Sequence, residues 1–348
     1  MTIPNRAIPA KLIKVFIILY CCLIGINNNI AQQREKEIGG WRSSKDIASV
    51  LGVGINLGNT LDAIPTEGDW APKAKEKYFL AFKQAGFRHV RIPITWHDHV
   101  SLRPPYKVSK KWMARVKQVT QWALDQKLIV TINAHHEKWL KQIYSNKNIQ
   151  ARFLAIWEQV AQEFKDKPDS LLFEILNEPF GMTTEEVDHL NEKAIIIIRK
   201  TNPYRTIIYS GASWTSFGDL EKAKVPSDNY LIANFHLYTP WKFAGLCIES
   251  WGSKSDLVSL ESIYEKASVW SKLNQIPIMI NEFGVAKYDH KQPSNKCAQR
   301  ERLLSLTAHV KFATERNIGI TIWDDNGSFG VYDRDQDTWG EERAVLIK

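Results

Sequence analysis

Eight short runs of β-branched and aliphatic residues are spaced along this chain, with longer amphipathic stretches between them. The runs fall at residues 50–56, 89–93, 128–133, 171–176, 206–210, 231–236, 278–280 and 319–323. The clearest intervening stretches cover 110–126, 149–165, 185–200, 258–273 and 299–316. Their apolar residues recur at helical spacing, as Trp112, Val116, Val119 and Ala123 do on one face. Strands joined through helices pair in parallel, since a parallel pair needs a long crossover. Eight such units are the count of a closed (β/α)8 TIM barrel. The competing fold, an open doubly wound sheet, usually follows its first strand with a G-x-G-x-x-G phosphate turn. Here the glycines of the first strand, Gly52, Gly54 and Gly58, do not match that spacing. Polar residues gather at the strand ends, where a barrel carries its chemistry. With 348 residues, 44% of them hydrophobic, and no repeat or linker-like composition shift, one large barrel domain is expected over residues 47–348.

The N-terminus reads differently. Arg6, Lys11 and Lys14 precede an apolar run at 15–26 that is short for a bilayer span. This is the pattern of a secretory signal peptide over residues 1–31, followed by a lead-in at 32–46. A secreted or periplasmic protein is expected, with no stable membrane span after cleavage. Residues 1–31 hold three basic and no acidic residues, so setting them aside takes the net charge from +8 to +5. Lys and Arg are dispersed among Glu, so no nucleic-acid stripe forms. Cys247 and Cys297 remain; outside the cell they could pair or stay as free thiols.

Two glutamates dominate the chemistry. Glu178 lies in Leu171-Leu-Phe-Glu-Ile-Leu-Asn-Glu-Pro179, and Glu282 in Ile276-Pro-Ile-Met-Ile-Asn-Glu-Phe-Gly284. Each follows an apolar run and precedes a break, so in one barrel both reach the carboxyl-terminal rim. Paired carboxylates are what glycosidic cleavage requires. Alternation along the fourth strand puts Glu174, Leu176 and Glu178 on one face, with Glu174 deeper as a structural carboxylate.

These motifs resemble glycoside hydrolase family 5, the cellulase family. The resemblance rests on Asn177-Glu-Pro179, Asn281-Glu-Phe-Gly284, Gly54-Ile-Asn-Leu-Gly-Asn-Thr-Leu-Asp62, Val90-Arg-Ile-Pro-Ile-Thr-Trp96, Ile132-Asn-Ala-His-His-Glu137, Asn234-Phe-His-Leu-Tyr238 and Trp323. It runs from about residue 47 to the C-terminus. It implies a retaining endo-β-1,4-glucanase with Glu178 as general acid/base and Glu282 as nucleophile. Glu178 is then expected to have a raised pKa, from the charge of Glu282, and Glu282 to stay ionised beside Arg91 and Tyr238. Asn177 is implied to bind the sugar 2-hydroxyl, His136 another hydroxyl, and His135 and His236 to orient neighbours. Trp323 is implied as the platform under the reacting sugar. Trp70, Trp214 and Trp241 are possible further platforms, and Trp96 and Trp139 fall in loops on the same face. Trp112, Trp122, Trp157 and Trp270 lie in helices and read as core.

A neutral β-linked polysaccharide is the expected partner, bound by a monomer without cofactor or metal. Mixed-linkage glucan and β-mannan are the alternatives to β-1,4-glucan, since the loop after Tyr238 departs from the family's usual polar, His-containing sequence. Asp324-Asp325 after Trp323 replaces the more common Glu. Two other classes compete. A metal-dependent hydrolase on the same barrel would gather His97, His99, His135, His136, His236 and Asp324 as ligands. A non-catalytic carbohydrate-binding barrel would have lost one of the two glutamates.

Overall fold

The structure, a computed structural model, describes residues 40–347. The chain forms two units, residues 1–43 and 44–348, and the second holds the barrel. The expected signal segment and most of the expected lead-in lie outside the described residues.

Helix α1 (Ser44–Leu51) opens the barrel unit, and eight parallel strands follow in sequence order around a closed sheet. The first half contains β1 (Val53–Asn56), α2 (Glu76–Ala85), β2 (His89–Ile92), α3 (Lys110–Asp125), β3 (Ile129–Asn133), α4 (Lys138–Gln142), α5 (Lys147–Glu163) and β4 (Leu171–Glu174). The second half contains α6 (Thr184–Arg199), β5 (Ile207–Ser210), α7 (Phe217–Lys222), β6 (Leu231–Leu237), α8 (Trp241–Ala244), α9 (Lys254–Asn274), β7 (Ile278–Phe283), α10 (Gln299–Glu315) and β8 (Gly319–Ile322). A small hairpin, β9 (Tyr332–Asp333) with β10 (Thr338–Trp339), and α11 (Glu342–Leu346) complete the chain. β1 pairs with both β2 and β8, which closes the ring. The (β/α)8 barrel read from the alternating pattern is the fold observed.

The helices start where side chains can satisfy free N–H groups. Ser109 caps α3, Asn146 caps α5, and Thr183 with Glu186 and Ser253 with Asp256 form capping boxes on α6 and α9. The first strand begins at Val53, three residues later than its apolar run suggests. Ile47, Ala48 and Leu51 recur at helical spacing and are buried, so the run at 50–52 is divided between α1 and the turn after it.

Strand alternation divides the core in two. Outward residues such as Ile55, Val90, Ile132, Phe173, Ile207, Phe235, Ile280 and Ile322 pack under the helices. Inside, Ile129, Leu172, Ile208, Ile232 and Met279 form an apolar floor against Ile47, Ala48 and Leu51 of α1. Above the floor, the His89 ring of β2 lies over Gly54 of the neighbouring β1, with Nδ1 at the Leu51 carbonyl (3.0 Å) and Nε2 at Thr321 Oγ1 of β8 (2.8 Å). Gly54 makes this possible, because a Cβ there would sit 2.2 Å from His89 Nε2. The top layer is polar throughout: Asn56, Arg91, Asn133, Glu174, Asn234 and Asn281 all point in and are buried.

Candidate active site

Arg91, inward on β2 and wholly buried, organises the mouth of the barrel. Each of its five N–H groups has an acceptor. Nε and Nη2 grip Glu174 (2.6 and 2.7 Å), Nη1 reaches Asn56 Oδ1 (2.9 Å) and Glu282 Oε1 (2.6 Å), and Nη2 also reaches Asn177 Oδ1 (2.7 Å). Only a planar guanidinium can serve five acceptors in one fork. Burial alone would pull its proton affinity down, but the charges of Glu174 and Glu282 hold it above the usual arginine value. Glu174 also accepts from Asn133 Nδ2 (3.3 Å) and Asn281 Nδ2 (3.0 Å). As read from the sequence, it is a structural carboxylate. Because Asn177 spends its oxygen on Arg91, its NH2 group is left to face the cleft.

The two glutamates reach the mouth by different local devices, and neither is simple alternation. β4 ends at Glu174, so the parity expected to aim Glu178 does not extend that far. Glu178 instead takes a left-handed backbone conformation, φ 35°, rare for a residue with a side chain and a form of strain that clusters at functional sites. In β7, Asn281 and Glu282 are consecutive, and strict alternation would turn one of them outward. A register shift between β6 and β7 pairs Phe235 with Ile280 but His236 with Glu282. This bulge keeps Asn281 on Glu174 and Glu282 on Arg91.

His236, inward at the top of β6, bridges the pair. Its Nδ1 is 3.0 Å from Glu178 Oε1 and 3.6 Å from Glu282 Oε2. One oxygen of each glutamate and a His236 nitrogen lie within 4.8 Å of one another. Tyr238 donates its hydroxyl to Glu282 Oε2 (3.1 Å). The proton affinities run opposite to the sequence-based expectation. Burial pushes Glu282 up, against the opposing charges of His236 and Arg91. Burial also acts upward on Glu178, but the hydrogen bond and charge of His236 outweigh it and hold Glu178 low. His236 moves up: burial opposes its charge, and Glu282 and Glu178 more than compensate. The contact between His236 Nδ1 and Glu178 Oε1 thus favours a charged imidazole beside an ionised Glu178 carboxylate.

The β3 loop and β8 build the facing wall. His135 is buried and kept neutral, chiefly by burial. Asn133 receives the Ile94 N–H on Oδ1 and so turns Nδ2 to His135 Nδ1 (3.2 Å), which leaves the His135 proton on Nε2. The His135 ring lies parallel to Trp323, 4° between planes and 6.0 Å between centroids. Gly58 admits the Trp323 ring, since a Cβ there would approach it to 2.8 Å. His136 is part-exposed, with burial lowering its pKa to about 4, and its Nε2 lies 3.8 Å from Asp62 Oδ2. Burial raises the Asp62 pKa to about 7, against the N–H groups of Asn59 and Thr60.

Trp70, Trp214 and Trp241 are the exposed tryptophans of the rim, at 46, 62 and 51%. Trp70 meets His136 edge-on, Trp214 stacks on Phe180, and Trp241 stacks on Phe329 and touches Tyr238 edge-on. Trp96 and Trp139, placed with them on sequence grounds, are buried and hydrogen-bonded to Asn133 O and Glu137. They are packing residues. The loop after Tyr238 is tied to the loop after β7 by a Cys247–Cys297 disulfide, which resolves the two readings of those cysteines.

Residues 53–328 match the model for Cellulase (glycosyl hydrolase family 5). The chain belongs to that family. Among the relatives of this family-5 chain, Endoglucanase H of Acetivibrio thermocellus is 40% identical over 85% of this chain and 32% of its own length. The chain therefore spans about a third of that relative. Endoglucanase A of Ruminococcus albus is 32% identical, covering 85% of this chain and 89% of its own. The endoglucanase Cel5A from Thermotoga maritima superposes with a TM-score of 0.82 at 36% identity, covering 88% of this chain and 100% of that one.

The ligand set of a metal-dependent hydrolase does not assemble in this family-5 barrel. His99 stacks on Trp112, and Asp324 is bound to Arg334. Among the described residues two sets of three donors do lie within 4.8 Å, Asp62–His135–His136 and Glu178–His236–Glu282. In each, the histidine beside a hydrogen-bond partner already uses its Nδ1. Sequence reasoning gave no role to Asp62, Glu137, Lys141 or His89. All four are nearly or fully buried polar residues, and their signal was only position: next to a motif or inside a strand.

Proposed function

We propose that this chain is a secreted, retaining endo-β-1,4-glucanase. Family membership and the endoglucanase relatives support a glycosidase that acts on internal β-glycan bonds. The observation that carries the mechanism is the close, unlike pair: an oxygen of Glu178 and an oxygen of Glu282 within 4.8 Å. Retaining enzymes hold their carboxyls at about 5–5.5 Å, whereas inverting ones need about 6.5–9.5 Å to seat a water between them.

In this reading Glu282, fixed by Arg91 and Tyr238, attacks the anomeric carbon. The proton shared between His236 and Glu178 moves to Glu178 Oε1 and from there to the departing glycosidic oxygen. A glycosyl–Glu282 ester results. Glu178, now a carboxylate, takes a proton from water as the water attacks the ester, and the β-configuration is restored. The Asn177 NH2 group meets the 2-hydroxyl, a contact that strengthens in the transition state. The neutral His135 offers its Nε2–H to the cleft, and Trp323 takes the apolar face of the sugar ring. The disulfide and the basic, apolar N-terminal pattern support secretion.

Mannan is the second reading for the substrate, because Thermotoga maritima Cel5A, 35% identical with a TM-score of 0.81, has been crystallised with mannotriose as well as with cellobiose. Parallel rates on carboxymethylcellulose, barley β-glucan and glucomannan test the assignment. Proton NMR of early products tests the stereochemistry: the β-anomer should appear first, and early α-anomer would refute the retaining mechanism.

A further inference from the structure

Lys141, on the short helix α4, is 2% exposed and forms no ion pair among the described residues. Its ammonium donates to the His135 carbonyl (3.0 Å) and lies 5.0 Å from the centroid of the Phe180 ring. Phe180 is two residues beyond Glu178 and donates its N–H back to the Glu178 carbonyl (2.7 Å). On its other side Phe180 stacks on Trp214, with centroids 4.7 Å apart and planes 14° apart. Burying a lysine without a counter-ion is costly, so this placement calls for a compensating interaction. The ammonium is wedged between the loop that carries His136 and the loop that carries Glu178.

We propose that Lys141 is a positioning residue for Glu178: its charge sets the field in which Glu178 holds its proton, and its stem and ammonium brace the Phe180–Trp214 stack beside it. The inference rests on the acid/base role proposed for Glu178. Among the charges on Lys141, Glu178 acts most strongly, ahead of Glu137 and Glu282, with Lys138 opposing. Seen from Glu178, His236 acts first, then Lys141, then Arg91. His136 also feels Lys141 before Lys138, Glu178 and Arg91. No other residue of α4 offers a second cation to Glu178 in this way, since Lys138 does not figure among its main interactions.

The sign is fixed. A cation near Glu178 favours its ionised form, so loss of the charge raises the pH at which the proton shared by Glu178 and His236 is given up. The test is the pH dependence of kcat/KM for wild type, Lys141→Met, Lys141→Gln and Lys141→Arg on a soluble β-glucan. Met and Gln are two neutral replacements of different polarity, so the measurement survives if one of them folds poorly. The alkaline limb should move up by about 0.5–1 pH unit in either neutral variant, less than the 1–3 units of a direct pair. The acid limb, set by Glu282, should move less, and Lys141→Arg should keep the wild-type alkaline limb. Superimposable profiles for a folded neutral variant overturn the proposal, as does an equal shift in Lys141→Arg. If wild type hydrolyses no β-glycan, the reading of Glu178 fails first and takes this one with it.

Discussion

Replacing Arg91 with methionine tests the hub on which the site stands. The substitution keeps the stem but removes five hydrogen bonds and the cation between Glu174 and Glu282. Breaking a buried pair by removing one partner costs about 3–5 kcal/mol, because the other charge is left uncompensated. Here two carboxylates lose their partner, and the remaining amides of Asn133 and Asn281 cover only Glu174. At about 2.1 cal/mol/K of unfolding entropy per residue, a barrel unit of residues 44–348 has roughly 0.64 kcal/mol/K. The predicted fall in Tm is therefore about 5–8 °C, read by differential scanning calorimetry. Adding Glu174→Gln should recover part of it, since one stranded charge is then gone. Activity should not return with stability, because Glu282 and Asn177 still lack their anchor. A Tm change under about 2 °C, or full recovery of hydrolysis in the double variant, would refute the hub argument.

Three further outcomes follow from the geometry. Glu178→Gln should lower kcat on β-glucan by about 10²–10⁴, and azide should restore turnover of an activated aryl glycoside as a β-glycosyl azide; no rescue counts against the acid/base role. His236 is raised above its ordinary 6.5, so the shared proton is kept above that pH and lost as pH rises through the shifted value. The alkaline midpoint of kcat/KM should thus lie above 6.5, and one below 6 would contradict it. Cys247 and Cys297 close a loop with a sequence separation of 50, for which chain entropy gives about 4 kcal/mol. Paired Cys→Ser substitution should lower Tm by several degrees and raise KM through the loop that carries Trp241; an unchanged KM would detach that loop from substrate binding.

Much of this site was legible because strand periodicity is. The alternation of apolar runs with amphipathic helices identified the barrel, and the rim then collected Arg91, Asn177, His236, Tyr238 and both glutamates. What escaped reading was set by non-local contacts. The bulge that turns Glu282 inward depends on the pairing of β6 with β7, and the left-handed backbone of Glu178 depends on the chain leaving β4 four residues earlier. Neither leaves a mark in the local pattern. For Trp96 and Trp139 the sequence left stacking and packing open, because tryptophans on a rim look alike until their partners are known, here Asn133 and Glu137. The proton affinities were inverted for the same reason. A pairwise view of Glu178 and Glu282 omits His236, which lies within reach of both and lowers the proton affinity of Glu178. Gly54 could be recognised as permissive, but not as the seat of the His89 ring from the adjacent strand β2.

The most direct test of the paired-glutamate mechanism is to trap its intermediate. A 2-deoxy-2-fluoro-β-cellobioside with a good leaving group slows both steps but the second more, so a glycosyl-enzyme should accumulate. Mass spectrometry of the intact protein should show one added fluorocellobiosyl group, and peptide mapping should place it on Glu282. A label on any other residue, or turnover with no adduct and early α-anomer, would contradict the account.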